Sequence, residues 1–312
     1  MMQTAFTRLV GCRLPLQQAG MGGSATPELA VAVSEAGALG MLGLAGLPAD
    51  VVIRAAEAVA ARTIRPFGAN FLMPFLDREA VVAAAGRVRV VEFFYGDPDA
   101  VLVDLAHQGG ALVGWQVGSV GEARAAADAG CDLVVAQGVE AGGHVRGHVG
   151  LLPLLADVLE AVAVPVVAAG GLGSARDVAG VLAEGAAAAR VGTRFLAAEE
   201  ADVHPDYLRG LVQARAEDTE VTTTFGNQWP NAPHRVLRSC IAAAVESLED
   251  PVGLTELAPG VQVPVPRLSP LSPGRRTTGR VDAMPHYAGQ SVDHVHRRML
   301  AADIVAELTA GL

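Results

Sequence analysis

Eight short apolar runs punctuate the first two-thirds of the chain: Leu14 to Ala19, Ala38 to Leu42, Phe67 to Phe71, Val88 to Phe93, Leu112 to Val117, Leu133 to Ala136, Pro165 to Ala169 and Ala187 to Val191. They are apolar without strict alternation, as strands are when helices cover one face and a packed interior the other. Ala-rich stretches with helix signals lie between them. Thr26-Pro27-Glu28 supplies a capping residue and a proline for the first turn, and Ser119 to Ala129 and Ser174 to Glu184 each open on a capping serine. Eight such units predict a (β/α)8 TIM barrel in the α/β class. A doubly wound open sheet usually has fewer units and an early dinucleotide fingerprint.

After Ala201 the rhythm breaks. A polar stretch (Asp218 to Asn227) and a Trp-Pro-Asn-Ala-Pro-His loop lead to a predicted helix over Val236 to Leu248. A Pro-rich run (Val261 to Arg275) and a final helix over Ser291 to Leu308 follow. The expected organisation is a barrel from residues 1–205 plus about 283–312, with a smaller C-terminal cap or substrate region at about 206–282. The cap loop from Thr219 to His234 would shape the substrate pocket.

Composition then removes whole chemistries. All 23 basic residues are arginine, against 33 acidic ones, for a net charge of -10. Without lysine there is no Schiff base and no P-loop lysine. An acidic chain with no basic patch argues against nucleic acid and anionic membranes as partners. Cys12, Cys131 and Cys240 form neither a disulfide framework nor a zinc pattern, and no metal site is expected. No apolar run spans a membrane and no signal-peptide pattern precedes Arg8, so the expectation is a cytoplasmic protein.

Candidate chemistry gathers where strands end. The loop after the seventh run (Gly170, Gly171, then a Ser-capped helix) and the loop after the eighth (Gly192, Thr193) present backbone N–H groups as a barrel phosphate site does. The loop Glu140-Ala141-Gly142-Gly143-His144 lets backbone approach a ligand and puts a histidine, a natural general base, at the mouth. His148 could compete for that role. Gly20, Met21 and Gly22 suit a flat ring, and Asn70 and Gln137 suit its hydrogen-bonding edge. With a phosphate site about one cofactor length away, these residues point to FMN.

The same strings resemble the nitronate monooxygenases, once called 2-nitropropane dioxygenases. The resemblance extends through Trp229-Pro230-Asn231-Ala232-Pro233 and Tyr287-Ala288-Gly289-Gln290-Ser291, and so covers nearly the whole chain. It implies an FMN barrel without metal, a monomer or a homodimer, that oxidises alkyl nitronates with O2 to a carbonyl compound and nitrite. His144 would be the base or the nitronate-orienting group. Gly170, Gly171, Gly192 and Thr193 would hold the phosphate, and Met21, Gly22, Asn70 and Gln137 the ring. Tyr287, Gln290 and Ser291 would close the site. A protonated His144, helped by Arg146 or His234, would neutralise the nitronate. His144-Val145-Arg146-Gly147-His148 departs from the shorter strings of relatives, and the C-terminal lysine of one subgroup is absent. The resembling superfamily also holds NADH-dependent quinone reductases and enoyl-thioester reductases. An NAD(P)H-dependent flavin reductase and a specialised-pathway flavin oxidase are therefore the alternatives, and a flavin-free binding barrel is the rival of another class.

Overall fold

The computed structural model describes residues 3–258 and 261–312. Eight parallel strands form one sheet: β1 (Leu16–Gln18), β2 (Gly40–Gly43), β3 (Phe67–Leu72), β4 (Val90–Phe94), β5 (Leu112–Val117), β6 (Leu133–Gln137), β7 (Val166–Ala169) and β8 (Ala188–Val191). Neighbours in sequence are neighbours in the sheet, and β8 pairs with β1. A parallel bridge between Gln17 and Leu39 closes the ring into a TIM barrel. Each expected strand is present because each apolar run is buried on both faces. Thr26, Ser119 and Ser174 cap the helices Pro27–Ala36, Val120–Asp128 and Ala175–Ala183, each accepting a backbone N–H from the first turn.

Alternation along the strands sorts the barrel interior by height. Phe6 and Val10, from the helix Ala5–Val10, pack with Leu39, Met41, Val90 and Leu133 at the lower end. The inward positions nearer the carboxyl ends are polar instead: Gln17, Asn70, Glu92, Gln116, Gln137 and Arg190 are all buried. Outward residues such as Val91, Phe93, Trp115 and Val134 join the main core beneath the helices.

The eighth unit is built differently from the others. Its helix, Ala301–Leu308, packs against Pro27–Ala36 and Ala175–Ala183, the place the last barrel helix must occupy, yet it begins over a hundred residues after β8. The intervening chain leaves and rejoins at one point. Glu199 N–H donates to the Met299 carbonyl (2.7 Å) and Met299 N–H to that of Ala197 (3.0 Å). The side chain of Arg194 reaches Glu307 on the late helix at 2.6 Å.

Two expected helices are corrected here. The segment expected as one helix from Ser291 to Leu308 is a 3-10 turn, Gln290–His294, an extended stretch, and then Ala301–Leu308. The helix expected from Val236 starts at Arg238, because His234–Leu237 is a strand. That strand joins Thr219–Thr222 and Gly143–His144 in a three-stranded sheet. The Pro-rich run contributes Val261–Val265, paired with Gly253–Ala258. A small separate core of Phe225, Val236, Cys240, Ala244, Val252 and Val265 lies under this part. No helix among the described residues is long and apolar enough to cross a membrane.

Candidate active site

The Glu-Ala-Gly-Gly-His loop is held by both its neighbours in space. Glu140 accepts the Leu151 N–H with both carboxylate oxygens (3.1 and 3.0 Å), capping the helix Leu151–Ala161. Its role is therefore to fix the loop. Gly143 and His144 pair antiparallel with Arg235 and His234. A Cβ on Gly142 would lie 2.4 Å from the Gly289 nitrogen, so only glycine allows this loop to touch the Tyr287–Ser291 string. Gly289 N–H in turn donates to Thr193 Oγ1 at 3.0 Å. The loops after β6 and β8 and the C-terminal string thus meet, which sequence spacing alone could not show.

His144 lies within a cluster of rings. Trp229 stacks on it, with centroids 3.9 Å apart and planes at 21°, and Tyr95, His234 and Tyr287 stand at 5.8, 5.1 and 5.7 Å. Burial, followed by the nearby His234, lowers its pKa to about 3. The imidazole is neutral near pH 7, which corrects the expectation of a protonated His144. Its Nε2 is buried with no hydrogen-bond partner among the described residues. The expected helpers are already engaged. Arg146 pairs with Glu122 and Asp97, each at 2.5 Å. His234 holds Phe225 N–H and the Ala232 carbonyl with its two ring nitrogens. His148 is exposed on the loop.

Of the two ring-edge candidates, Asn70 lies in a buried network around Glu92 and Gln137 bonds the His144 loop. Asn70 donates through Nδ2 to Glu92 Oε1 (2.9 Å), Gln17 through Nε2 to Glu92 Oε2 (3.0 Å), and Arg190 Nη1 lies 2.6 Å from Glu92 Oε1. Gln137 donates to the His144 carbonyl at 3.1 Å, which leaves its Oε1 unpaired. Gly20 rests against Asn70, and Met21 lies against Gly43 and near Gly192. Beside Gly22 and Gly143 there is open space where a Cβ would sit.

On the phosphate side the expectation narrows. Asp177 Oδ2 already accepts from Gly173 and Ser174 N–H (3.0 and 2.9 Å), and Ser174 Oγ from Asp177 N–H. The helix terminus is thus occupied by its own carboxylate. What remains is the left-handed backbone of Gly170 (φ 114°) and Gly171 (φ 70°), together with Gly192 and Thr193. Ser291 is buried against Gly173, but the Tyr287 hydroxyl donates to the Pro270 carbonyl (2.8 Å) and the Gln290 side chain is exposed. Neither of these two side chains reaches the mouth through a polar contact.

Glu92, Arg190, Gln17, Tyr95 and Trp229 extend the site beyond the sequence candidates. Glu92 and Arg190 left one signal, a charge in the middle of an apolar strand run. Tyr95, the residue after β4, has φ 66°, uncommon for a residue with a side chain. Four buried side-chain atoms make no hydrogen bond of good geometry among the described residues: Gln17 Oε1, Gln137 Oε1, His144 Nε2, and Arg190 Nη1, which is nonetheless ion-paired to Glu92. All four belong to the upper barrel or its mouth, so the residues present fit a flat ligand with a polar edge. No group of acidic, histidine or cysteine side chains suited to a metal occurs among the described residues.

A parallel barrel with a polar mouth and glycine-backed loops after β7 and β8 is an architecture that flavin-dependent oxidoreductases use, among other enzymes. The family model for nitronate monooxygenase matches residues 3–81 and 74–311, and the chain belongs to that flavoenzyme family. A curated relative from Mycobacterium tuberculosis is 37% identical over 252 residues (79% of this chain and 69% of the relative). It is a (3aS,4S,5R,7aS)-5-hydroxy-7a-methyl-1-oxo-octahydro-1H-indene-4-carboxyl-CoA dehydrogenase. FabK from Thermotoga maritima superposes with a TM-score of 0.80 at 29% identity, covering 99% of this chain and 95% of that one. A nitroalkane oxidase from Streptomyces ansochromogenes gives 0.75 at 30%, covering 98% and 97%.

Proposed function

We propose that this chain is an FMN-dependent oxidoreductase that exchanges a hydride with the carbon skeleton of an acyl thioester. One observation carries the choice of substrate: His144 is neutral, and the arginines around the mouth are already paired. Arg146 is held by two carboxylates, Arg190 by Glu92 and Arg194 by Glu307, while Arg235 donates to the Val139 carbonyl and Thr219 and has the Glu140 carboxylate as its nearby opposite charge. A nitronate is an anion, and in a closed site it needs a counter-charge that these groups do not offer. A thioester carbonyl is neutral and needs only a hydrogen-bond donor. The M. tuberculosis relative named as a carboxyl-CoA dehydrogenase supports the same class.

FMN, when bound, supplies the acceptor or donor of the hydride. The chain's own residues would do the rest. Gly170, Gly171, Gly192 and Thr193 would hold the phosphate through N–H groups and a hydroxyl. Met21, Gly22, Asn70 and Gln137 would line the ring. The neutral His144 would donate from Nε2 to the thioester oxygen, polarising the carbonyl, and Trp229 would keep water from that bond. A neutral imidazole serving as an electrophile is well suited to a dry site. Oxidation of alkyl nitronates by O2 is the second reading, favoured by the family model and the nitroalkane oxidase.

The yellow enzyme is mixed anaerobically with NAD(P)H, with acyl-CoA thioesters and with an alkyl nitronate. Bleaching by NAD(P)H or a thioester is expected, and bleaching by the nitronate alone would overturn the proposal in favour of the second reading. His144→Asn should keep FMN and lose about 10²–10³-fold in turnover, the usual cost of a lost oxyanion donor. Full activity in that variant would remove His144 from the mechanism.

A further inference from the structure

The upper barrel holds a buried ion pair that the hydride chemistry above does not use. Glu92 is fully buried on β4, and Arg190, buried on β8, lies across the barrel from it at 2.6 Å. Gly114, the β5 neighbour of Glu92, carries no side chain, and a Cβ there would sit 3.7 Å from Glu92 Cγ. Gln17, the neighbour of Arg190 in register, and Asn70, the neighbour of Glu92, complete the cluster. A carboxylate only accepts hydrogen bonds. Both amides must therefore turn their NH2 groups toward Glu92, and Asn70 is left to present its carbonyl oxygen elsewhere.

Burying such a pair is costly, and apolar residues of similar volume would often stabilise the barrel as well or better. The lower barrel is filled in that apolar way. The pair is imperfect as well: among the described residues Arg190 Nη1, although 2.6 Å from Glu92, makes no hydrogen bond of good geometry, and Gln17 Oε1 has no partner. A charged pair one hydrogen bond beneath a mouth residue, in a low-dielectric interior, contributes a field that water does not screen. Charge near the ring is one of the levers by which a protein sets a flavin's electronics.

We propose that Glu92 and Arg190 form a redox-tuning pair, in which the carboxylate balances the guanidinium and pins Asn70 as an acceptor toward the flavin edge. Neither is a catalytic residue; both are positioning residues. The inference rests on the FMN reading above. Reduction places electrons on the ring, so an uncompensated Arg190 stabilises the reduced form and an uncompensated Glu92 destabilises it.

The test is the FMN midpoint potential of the holoenzyme, read spectroscopically against reference dyes, with FMN affinity measured alongside. Glu92→Gln should raise the potential and Arg190→Gln should lower it. Each should shift the oxidised-to-reduced ratio at least tenfold, about 30 mV for a two-electron couple. The double variant Glu92→Gln/Arg190→Gln, which is neutral and avoids a stranded charge, should return close to the parent value. Single variants that leave the potential unmoved, or that move it in the same direction, overturn the proposal. So does a double variant displaced tenfold or more, and that arm remains decisive if either single variant fails to fold. A parent protein that binds no added FMN refutes the flavin reading itself and the pair with it. Normal FMN binding with unmoved potentials refutes the pair alone.

Discussion

Replacing Gly142 by alanine tests the contact on which the whole mouth rests. The new Cβ would lie 2.4 Å from the nitrogen of Gly289 and 2.7 Å from the carbonyl carbon of Ala288. Both are backbone atoms, so no side chain can swing aside. Ordinary van der Waals contact begins near 3.4 Å, so the two loops must part by about 1 Å. The parting pulls on the Gly289 N–H bond to Thr193 and on the strand pairing of Gly143 with Arg235. Overpacking of this kind costs about 1–3 kcal/mol. A displacement of about 1 Å at a reacting group costs on the order of 10²-fold in rate. Urea denaturation and thioester- or NAD(P)H-dependent flavin reduction measure the two effects. Gly22→Ala is the control, since its Cβ would meet nothing within 4 Å. It should leave stability unchanged and weaken FMN binding. A Gly142→Ala protein as stable and as active as the parent would refute the account of how these loops lock.

Two other outcomes follow from the ring cluster and the buried histidines. Trp229→Ala removes the ring stacked on His144, along with its edge contacts to Tyr95 and Phe75 at 4.7 and 5.1 Å, and lets water reach Nε2. NMR titration should show the His144 pKa rising from about 3 toward the ordinary value of 6.5, and an unmoved value would mean that Trp229 is not what desolvates it. His286, stacked on Tyr207 with centroids 4.6 Å apart, is held at about 4 chiefly by burial. His144 and His286 stay neutral in the folded chain while the unfolded chain takes up protons below pH 6.5. Stability is therefore unaffected above that pH and falls on acidification until each folded pKa is reached. Between pH 8 and 5 the two histidines together should cost about 4 kcal/mol, read as a fall in the urea midpoint; a flat profile would refute their buried, neutral state.

The barrel was legible in the sequence because its strands are buried on both faces, so local composition and tertiary position coincide. Thr26, Ser119 and Ser174 marked helix starts for an equally local reason: a cap bonds N–H groups two or three residues away. The last helix was not legible as drawn. Its register with the barrel depends on the pairing of Ala198 with Met299 and of Arg194 with Glu307, contacts made across about a hundred residues. Val236 and Leu237, the last two residues of the strand His234–Leu237, resemble a helix start in sequence for a similar reason. The strand's partners, Thr219–Thr222 and Gly143–His144, come from elsewhere in the chain.

At the site, the sequence by itself determined which strand-end loops are rich in glycine and polar side chains. Glycines that let backbones approach, a histidine at a strand end and the absence of lysine are written residue by residue. Tertiary structure alone decided the states of those groups. The pKa of His144 is lowered first by burial, with Trp229 stacked on the ring, and then by His234; Arg146 is occupied because Glu122 and Asp97 lie beside it, and Glu92 meets Arg190 only when the barrel closes. Protonation and pairing depend on desolvation and on distance between remote residues, and neither is a property of a segment.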